Sequence, residues 1–299
     1  MYVLEIDALT KVYGRATAVQ AVSFQVPAGS VFGLLGPNGS GKTTTMGMAL
    51  GVLHATSGSV RWFSEPLSEA TKRRIGAMLE APNFYPYLSA YQNLERVAAI
   101  KRVAKSSIAS ALAETGLLAR QHDRFQTFSL GMKQRLAIAA TLLGNPEVLV
   151  LDEPTNGLDP QGIVEVRTLI LDLAARGKTV IISSHLLDEI EKMCTHLVVL
   201  NKGQVCATGP VESFFGTAGR TLIRPRPETT TQQLRQVLGG LPWVTDLQDE
   251  GNGYTSLNMT SGYHPGDLNM ALFAQGIVVS EITPVRRNLE TQFFALINR

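Results

Sequence analysis

Short apolar runs and amphipathic stretches alternate along the first two thirds of the chain. Apolar positions that recur on one side predict strands over 2–9 and 18–26, and a buried strand over 30–35 runs straight into a glycine-rich turn. A continuous apolar run at 148–151 and a mostly apolar stretch at 179–183 predict parallel strands, because parallel sheets are covered on both faces. Strands that alternate with helices in this way predict an α/β fold built on a parallel sheet.

A mostly helical block over about 86–144 interrupts this alternation. Ser89 followed three residues later by Gln92 is a capping-box pattern, which predicts that a helix begins there. Apolar residues at helical spacing predict two further helices, over 106–115 and 130–143. The block is therefore predicted to be a helical subdomain within the α/β fold.

The pattern changes near 216–219 and becomes that of a second, smaller domain. A strand, a helix, two strands across a Gly-Asn-Gly turn at 251–253, a helix and a strand follow one another, and a last helix is predicted over 288–297. The order βαββαβ plus a helix predicts a small α+β, ferredoxin-like domain. The predicted domains are therefore 1–216 and a C-terminal extension over 220–299.

Composition and charge narrow the class of protein further. The 299 residues carry 27 lysines and arginines against 25 aspartates and glutamates, and a net charge of +2 gives no electrostatic case for a nucleic-acid partner. Cys194 and Cys206 fit neither a disulfide framework nor a zinc site, which favours two reduced thiols. No apolar stretch approaches the roughly 20 residues of a membrane-spanning helix. Any role at a membrane therefore requires a span from another chain.

The glycine-rich turn carries the clearest chemistry. Gly36-Pro-Asn-Gly-Ser-Gly-Lys42-Thr43 matches the P-loop pattern in full and lies between a predicted strand and a predicted helix, as that motif requires. Its glycines let successive N–H groups turn inward, Lys42 is placed to reach the β- and γ-phosphates, and the Thr43 hydroxyl is placed to bind Mg²⁺. The predicted nucleotide-binding residues of this loop are Gly36, Pro37, Asn38, Gly39, Ser40, Gly41, Lys42, Thr43 and Thr44.

Two acids, Asp152 and Glu153, directly follow the buried run at 148–151. The carboxyl end of a parallel strand is where α/β sheets bind ligands. Asp152 is predicted to hold Mg²⁺ through water, and Glu153 to orient or deprotonate the attacking water. Asn201-Lys-Gly-Gln204 ends in Gln and so lacks the Asp of a guanine-reading motif, which disfavours a GTPase.

Three further motifs are FSLGMKQRL at 128–136, EPTNGLDP at 153–160 and Ser183-Ser-His185. In this order they resemble the signature loop, the Walker B/D-loop join and the switch histidine of the ATP-binding cassette (ABC) ATPases. Tyr13 lies upstream of the P-loop, where that family stacks an aromatic ring on adenine. The resemblance covers about the first 215 residues. It implies a P-loop NTPase cassette that binds ATP, with a RecA-like parallel sheet core, an N-terminal antiparallel β subdomain and a helical subdomain.

The resemblance also implies a mechanism. Two cassettes pack head to tail, and each ATP is held by the P-loop of one and by Ser129 and Gly131 of the other. Lys42, Glu153 and His185 are the expected catalytic residues, with His185 bonding the γ-phosphate across the site. The expected partners are a second ATPase subunit, most simply a homodimer, and a separate transmembrane permease on the cytoplasmic face of the cell (inner) membrane.

Departures from the family pattern are informative. Glu80 stands where the Q-loop usually has glutamine, and its charge is expected to strengthen a Mg²⁺ contact but to repel the triphosphate; Leu130 replaces the first glycine of the signature loop. Glu80, the segment PNFYP at 82–86 and the SLGMKQR motif together resemble the ATPases of bacitracin-resistance and lantibiotic-immunity exporters, as does NLETQFF at 288–294. This resemblance implies export of a peptide antibiotic or drug-like substrate.

Several alternatives stay open at this point. A soluble ABC ATPase of translation or DNA repair is disfavoured by the single cassette and by the short spacing between P-loop and signature loop. A nucleotide-gated regulatory module remains compatible with Glu80 and Leu130. The aromatic run at 83–87 is either a contact with the membrane partner or local packing. The C-terminal domain could serve in dimer contact, regulation or capping of the cassette.

Overall fold

The structure is a computed structural model that divides into two compact units, Met1–Val211 and a second unit that begins at Glu212. The residues it describes are 1–79, 83–214, 220–260, 262–285 and 293. Strands of the first unit are β1 (Tyr2–Tyr13), β2 (Ala16–Pro27), β3 (Val31–Leu35), β4 (Ser57–Trp62), β5 (Glu65–Pro66), β6 (Ile75–Met78), β7 (Val148–Leu151), β8 (Thr179–Ser184), β9 (His196–Asn201) and β10 (Gln204–Pro210). Its helices are α1 (Lys42–Ala49), α2 (Glu69–Arg73), α3 (Ala90–Lys101), α4 (Ser106–Glu114), α5 (Leu130–Leu142), α6 (Pro160–Ala175) and α7 (Leu187–Met193).

One sheet of the first unit is antiparallel, with strand order β2-β1-β4-β5. The predicted strands at 2–9 and 18–26 are confirmed as β1 and β2, which run several residues further and meet at a tight turn. The sequence did not predict β4, because Trp62 is its only fully buried residue and the alternation is weak. Gly58 lets β4 approach β1, since a Cβ there would lie 2.5 Å from the carbonyl oxygen of Ala8.

The other sheet of this unit is mostly parallel, with strand order β10-β9-β3-β8-β7-β6, and only β10 is antiparallel to its neighbour. Every residue of β3, β7 and β8 is buried, as expected for strands of a sheet that is covered on both faces. The carboxyl ends of β3, β7 and β8 lie at one edge of the sheet. The chain leaves that edge at Gly36, Asp152 and His185, which brings three predicted site segments together.

The predicted helical block contains α3, α4 and α5. Ser89 caps α3 as predicted, because its hydroxyl accepts from the N–H of Gln92 and the Gln92 side chain accepts from the N–H of Ser89. Leu94, Ile108 and Leu136 are fully buried, so each helix contributes an apolar face to the fold. The assignment of this block as a subdomain stays a prediction.

Over the described residues 220–260 and 262–285, the elements of the second unit are β11 (Arg220–Pro225), α8 (Thr231–Gly239), β12 (Val244–Gly251), β13 (Tyr254–Met259), α9 (Pro265–Ala274) and β14 (Val279–Val285). The four strands form an antiparallel sheet of order β12-β13-β11-β14. Ile223, Leu234, Leu257, Leu268 and Leu272 form its core. The element order is the predicted βαββαβ, while the ferredoxin-like assignment and the domain limits stay predictions. Of the predicted helix over 288–297, only residue 293 lies within the described residues.

In the parts of both units that the structure describes, no helix is long and apolar enough to cross a membrane.

Candidate nucleotide site

The P-loop joins β3 to α1, and its glycines are required by its shape. Gly39 and Gly41 have φ of +78° and +100°, which side chains other than glycine rarely adopt. A Cβ on Gly36 would lie 2.3 Å from the carbonyl oxygen of Leu200, so the loop passes directly against β9. The loop can therefore curl tightly at the start of α1, with Lys42 as its first helical residue.

A cleft of about 470 Å³ opens over this loop. It contains the predicted residues of the P-loop from Asn38 onward, together with Glu153 and His185. Two further residues that sequence analysis did not predict, Ala18 and Asn156, contribute to its walls. The lining consists of Ala18, Asn38, Gly39, Ser40, Gly41, Lys42, Thr43, Thr44, Glu153, Asn156 and His185.

Lys42 is almost fully buried at the base of the cleft, with 5% of its surface exposed. Its Nζ donates to the carbonyl oxygens of Gly36 at 2.8 Å and Pro37 at 3.3 Å. The same atom lies 3.3 Å from Oε1 of Glu153. The ammonium group is thus held by the loop that would surround a phosphate, and a charge at this depth is weakly screened by solvent.

Asp152 receives a hydroxyl donor on each of its carboxylate oxygens. The Thr43 hydroxyl donates to Oδ2 at 2.8 Å, and the Ser183 hydroxyl donates to Oδ1. The predicted metal ligands Thr43 and Asp152 are therefore adjacent, and their oxygen atoms are the donor type that Mg²⁺ prefers. The third predicted metal ligand, Glu80, lies outside the described residues.

Glu153 lies between two other predicted catalytic residues. Its Oε1 faces Lys42, and its Oε2 lies 2.9 Å from Nδ1 of His185. Its backbone adopts a φ of +48°, an uncommon conformation for a residue with a side chain, and its N–H donates to the Ser183 hydroxyl at 2.8 Å. The structure thus brings Lys42, Glu153 and His185 into one continuous set of contacts.

Tyr13, the predicted adenine contact, lies at the end of β1 and is 48% exposed. The Nζ atom of Lys11 lies 4.8 Å from the centroid of its ring. Tyr13 is not one of the residues that line the cleft, although its strand pairs with β2, which carries the lining residue Ala18.

Ser129 and Gly131 also lie outside the set that lines the cleft. Ser129 is exposed and caps α5, with its hydroxyl accepting from the N–H of Met132 at 3.3 Å. A Cβ on Gly157, in the segment after Glu153, would lie 3.4 Å from the Leu130 side chain. The side chain of Leu130 in the signature loop therefore adjoins the segment that follows Glu153.

The aromatic run at 83–87 divides into a packed and an exposed part. The Phe84 ring packs edge-on against Phe125 at 5.3 Å, which is local packing. Tyr85 and Tyr87 lie 5.9 Å apart and are 54% and 65% exposed. The buried Asn93 side chain holds this segment, accepting from the N–H of Tyr85 at 2.9 Å and donating to its carbonyl oxygen at 3.1 Å.

A mostly parallel sheet with a P-loop and paired acids at its carboxyl edge defines a nucleoside triphosphatase of the P-loop class. Comparisons with known proteins identify the family. The family model described as ABC transporter matches residues 19–156. The bacitracin transport ATP-binding protein BcrA of Enterococcus faecalis is 43% identical over 304 residues, which cover 99% of this chain and 96% of that protein. This chain therefore belongs to the ATP-binding proteins of ABC transporters.

Two further similarities agree with this assignment. The lantibiotic transport ATP-binding protein SrtF of Streptococcus pyogenes is 41% identical over 202 residues, covering 68% of this chain and 88% of that protein. The dimeric structure of an ATP-binding cassette in a post-hydrolysis state, bound to ADP and Pi, matches with a TM-score of 0.62 and 25% identity over 70% of this chain and 98% of that one. The predicted cassette fold is thus confirmed, and the protein is an ATP-binding ATPase whose hydrolysis powers transport.

Proposed function

We propose that this protein is the ATP-hydrolysing subunit of an exporter for a peptide antibiotic or similar drug-like substrate. The proposal rests on BcrA, which is named as a bacitracin transport protein and whose length is matched almost completely by this chain. It also rests on SrtF, a lantibiotic transport protein. A separate permease supplies the membrane span and the substrate site, and this subunit attaches to it at the cytoplasmic face of the cell membrane.

Each residue of the cleft has a role in hydrolysis under this proposal. The P-loop N–H groups and Lys42 bind the β- and γ-phosphates, where the depth of the Lys42 charge makes it effective. Thr43 and Asp152 would hold Mg²⁺, which when bound neutralises charge on the phosphate oxygens. Glu153 accepts the proton of the attacking water at a carboxylate oxygen, and His185 orients that carboxylate and reaches the γ-phosphate.

A second copy of the chain completes the site. Ser129 lies at the amino end of the thirteen-residue helix α5, where its hydroxyl and the first N–H groups of the helix are suited to an anion. Because Ser129 and Gly131 do not line the cleft of their own chain, we assign them to the ATP of the opposing chain. The similar cassette structure that is dimeric and bound to ADP and Pi supports the presence of a second copy. Tyr13 is proposed to stack on the adenine.

For ATP hydrolysis, the observation that carries the proposal is the contact of Glu153 with both Lys42 and His185 inside the cleft. The test compares steady-state ATP hydrolysis by the wild type and by Glu153→Gln, with and without co-purified permease. Glu153→Gln should retain ATP binding but lose hydrolysis about 100-fold or more, since general-base catalysis contributes about 10²–10⁴-fold. Glu69→Gln, which removes an acid that is 85% exposed, is the control and should behave as the wild type.

Two results would contradict the proposal. Wild-type hydrolysis by Glu153→Gln would exclude Glu153 as the base. If the wild type does not hydrolyse ATP, either alone or with the permease, the result would favour the nucleotide-gated regulatory module instead.

A further inference from the structure

Ser183 is fully buried at the end of β8, and its hydroxyl bonds to both acids of the site. It donates to Oδ1 of Asp152 and accepts from the backbone N–H of Glu153 at 2.8 Å. The sequence places Ser183 only as a residue upstream of His185 and assigns it no role. One side-chain atom thus joins the proposed metal ligand to the proposed general base.

The polarity of these bonds follows from the chemistry of a hydroxyl. A serine has one hydrogen to donate, and a backbone N–H can only donate. The Ser183 hydrogen is therefore directed to Asp152, while a lone pair receives the N–H of Glu153. With Thr43 donating to the other oxygen of Asp152, the plane of that carboxylate is fixed from both sides.

The same bond constrains Glu153. A non-glycine residue at φ of +48° persists only where its surroundings hold it, and the Ser183 hydroxyl holds the N–H of that residue. Loss of the hydroxyl would release the Asp152 carboxylate to rotate and would leave the N–H of Glu153 without this acceptor. Both effects act directly on the two carboxylates and reach the phosphate loop only indirectly, through the contacts of Thr43 and Lys42 with them.

We infer that Ser183 is a positioning residue that sets the Mg²⁺ affinity of the site and the alignment of Glu153 through its two hydrogen bonds. The inference rests on the proposed roles of Asp152 and Glu153. It assigns Ser183 no contact with the nucleotide. Removal of the hydroxyl should therefore weaken Mg²⁺ binding and slow hydrolysis while leaving Mg²⁺-free ATP binding intact, a separation that a general loss of packing would not produce.

The experiment uses the full chain and a fluorescent ATP analogue, with binding measured in EDTA and across a Mg²⁺ titration. In Ser183→Ala, the Mg²⁺ concentration that gives half of the Mg²⁺-dependent change in binding of the analogue should rise about tenfold. The kcat for ATP hydrolysis should fall about tenfold or more, while the affinity for the analogue in EDTA stays within twofold of the wild type. Ser184→Ala is the matched control, because Ser184 is adjacent and equally buried but its hydroxyl accepts from the N–H of Leu186 instead. It should keep the wild-type Mg²⁺ dependence.

Ser183→Cys is a second test, since a thiol occupies the space of the hydroxyl but is a weak hydrogen-bond donor and acceptor. Its Mg²⁺ midpoint should shift in the same direction as that of Ser183→Ala, and a wild-type midpoint in either variant would overturn the inference. Equal loss of binding with and without Mg²⁺ would also overturn it. Failure of the proposed function is seen separately, as wild-type hydrolysis by Glu153→Gln.

Discussion

Lys42 and Glu153 form an ion pair within the cleft, with Nζ of the lysine 3.3 Å from Oε1 of the glutamate. The lysine is 5% and the glutamate 21% exposed, so solvent screens the pair only weakly. The pair joins the start of α1, which follows β3 and the P-loop, to the end of β7, and β3 and β7 are separated by β8 in the sheet. A phosphate bound by the P-loop would share this ammonium group, so we expect nucleotide binding to be coupled to the position of Glu153, the proposed general base.

Substitution of Lys42 by Met should reduce ATP affinity about 100-fold or more. A unit charge pair at 4 Å contributes about 4 kcal/mol at an effective dielectric constant near 20, and part of that value is offset by desolvation. Equilibrium binding of a fluorescent ATP analogue measures the change. Lys192→Met, which removes a half-exposed lysine paired with Asp188 on the surface, should leave affinity unchanged. Affinity within threefold of the wild type in Lys42→Met would contradict the assignment.

Gly203 supports the P-loop from outside the cleft, and Gly203→Ala should weaken both the fold and the site. Its N–H donates to the carbonyl oxygen of Ser40 at 3.1 Å, its φ is +77°, and an added Cβ would lie 2.6 Å from the carbonyl oxygen of Ala18. We expect a loss of about 2–3 kcal/mol in the free energy of unfolding and a several-fold rise in KM for ATP. Urea denaturation and ATP titration measure the two effects.

Gly177→Ala is a control for Gly203→Ala, because it introduces the strain of a side chain at positive φ without a clash with neighbouring atoms. Gly177 also has a positive φ, of +88°, but an added Cβ there would meet no atom within 4 Å. Its substitution should cost only about 1 kcal/mol and leave KM unchanged. Equal effects of the two substitutions would show that the contact of Gly203 with Ala18 has no consequence for the site.

Tyr85→Ala combined with Tyr87→Ala should uncouple hydrolysis from the permease. These rings are exposed, whereas Phe84 packs on Phe125, so the tyrosines can be removed without opening the interior. Basal hydrolysis should stay within twofold of the wild type, and stimulation by the permease should be lost, because exposed aromatic residues are common anchors of interfaces. Reconstituted ATPase assays measure both. Retained stimulation would assign the pair to another role.

Two controls accompany the tyrosine substitutions. Ile100→Ala removes an apolar side chain on α3 that is 81% exposed and should leave stimulation intact. Phe84→Ala should instead lower the free energy of unfolding, which distinguishes packing from coupling in this segment.

The stability of the protein should increase with pH through Lys101. Burial lowers the pKa of Lys101 from 10.5 to about 8, and its Nζ donates to the carbonyl oxygens of Ala140 and Thr141 in the last turn of α5. Between these two values the unfolded chain binds more protons than the folded chain, so the contribution of Lys101 to the free energy of unfolding rises with pH.

Denaturation of the wild type and Lys101→Met tests this linkage. The free energy of unfolding of the wild type should gain about 1–2 kcal/mol over that of the variant between about pH 7.5 and about pH 9.5. Lys72→Met, at an exposed surface lysine, is the control and should follow the wild type. A constant difference between wild type and Lys101→Met across this range would contradict the burial effect.

Local sequence patterns predicted the elements whose burial is uniform or whose ends are capped. The runs that became β7 and β8 and the Ser89–Gln92 box are examples, since each depends on neighbours in sequence. Pattern alone did not predict β4 because its stability comes from pairing with β1, more than forty residues earlier in the chain. Such pairing leaves little trace in the alternation of a strand that is mostly exposed.

The residues of the site also divide into those that local sequence predicts and those that depend on the fold. The P-loop and the Asp152–Glu153 pair were predicted because their chemistry lies in contiguous residues. Ala18 is an alanine on a strand and has no chemical signal; it reaches the cleft because β2 passes beside the P-loop. Ser183 is a polar residue at the end of a mostly apolar strand, which is a weak indication of a role. Its hydrogen bonds to Asp152 and Glu153 could not be predicted from the sequence, because they depend on the pairing of β8 with β7.

The cleft has a floor, formed where the P-loop leaves β3, and a rim, formed by the part of β2 that carries Ala18, and the two differ in how readily their backbone opens. Its floor begins at β3, which is paired on both sides and buried along its whole length. Amide hydrogens in such a strand exchange with deuterium only in global opening, while those of exposed edges exchange through local opening. Ala18 belongs to the other sheet, in a strand with several exposed residues. Bound nucleotide can therefore slow amide-hydrogen exchange selectively at the rim. The amides of the floor would keep the exchange rate that is set by unfolding of the whole unit.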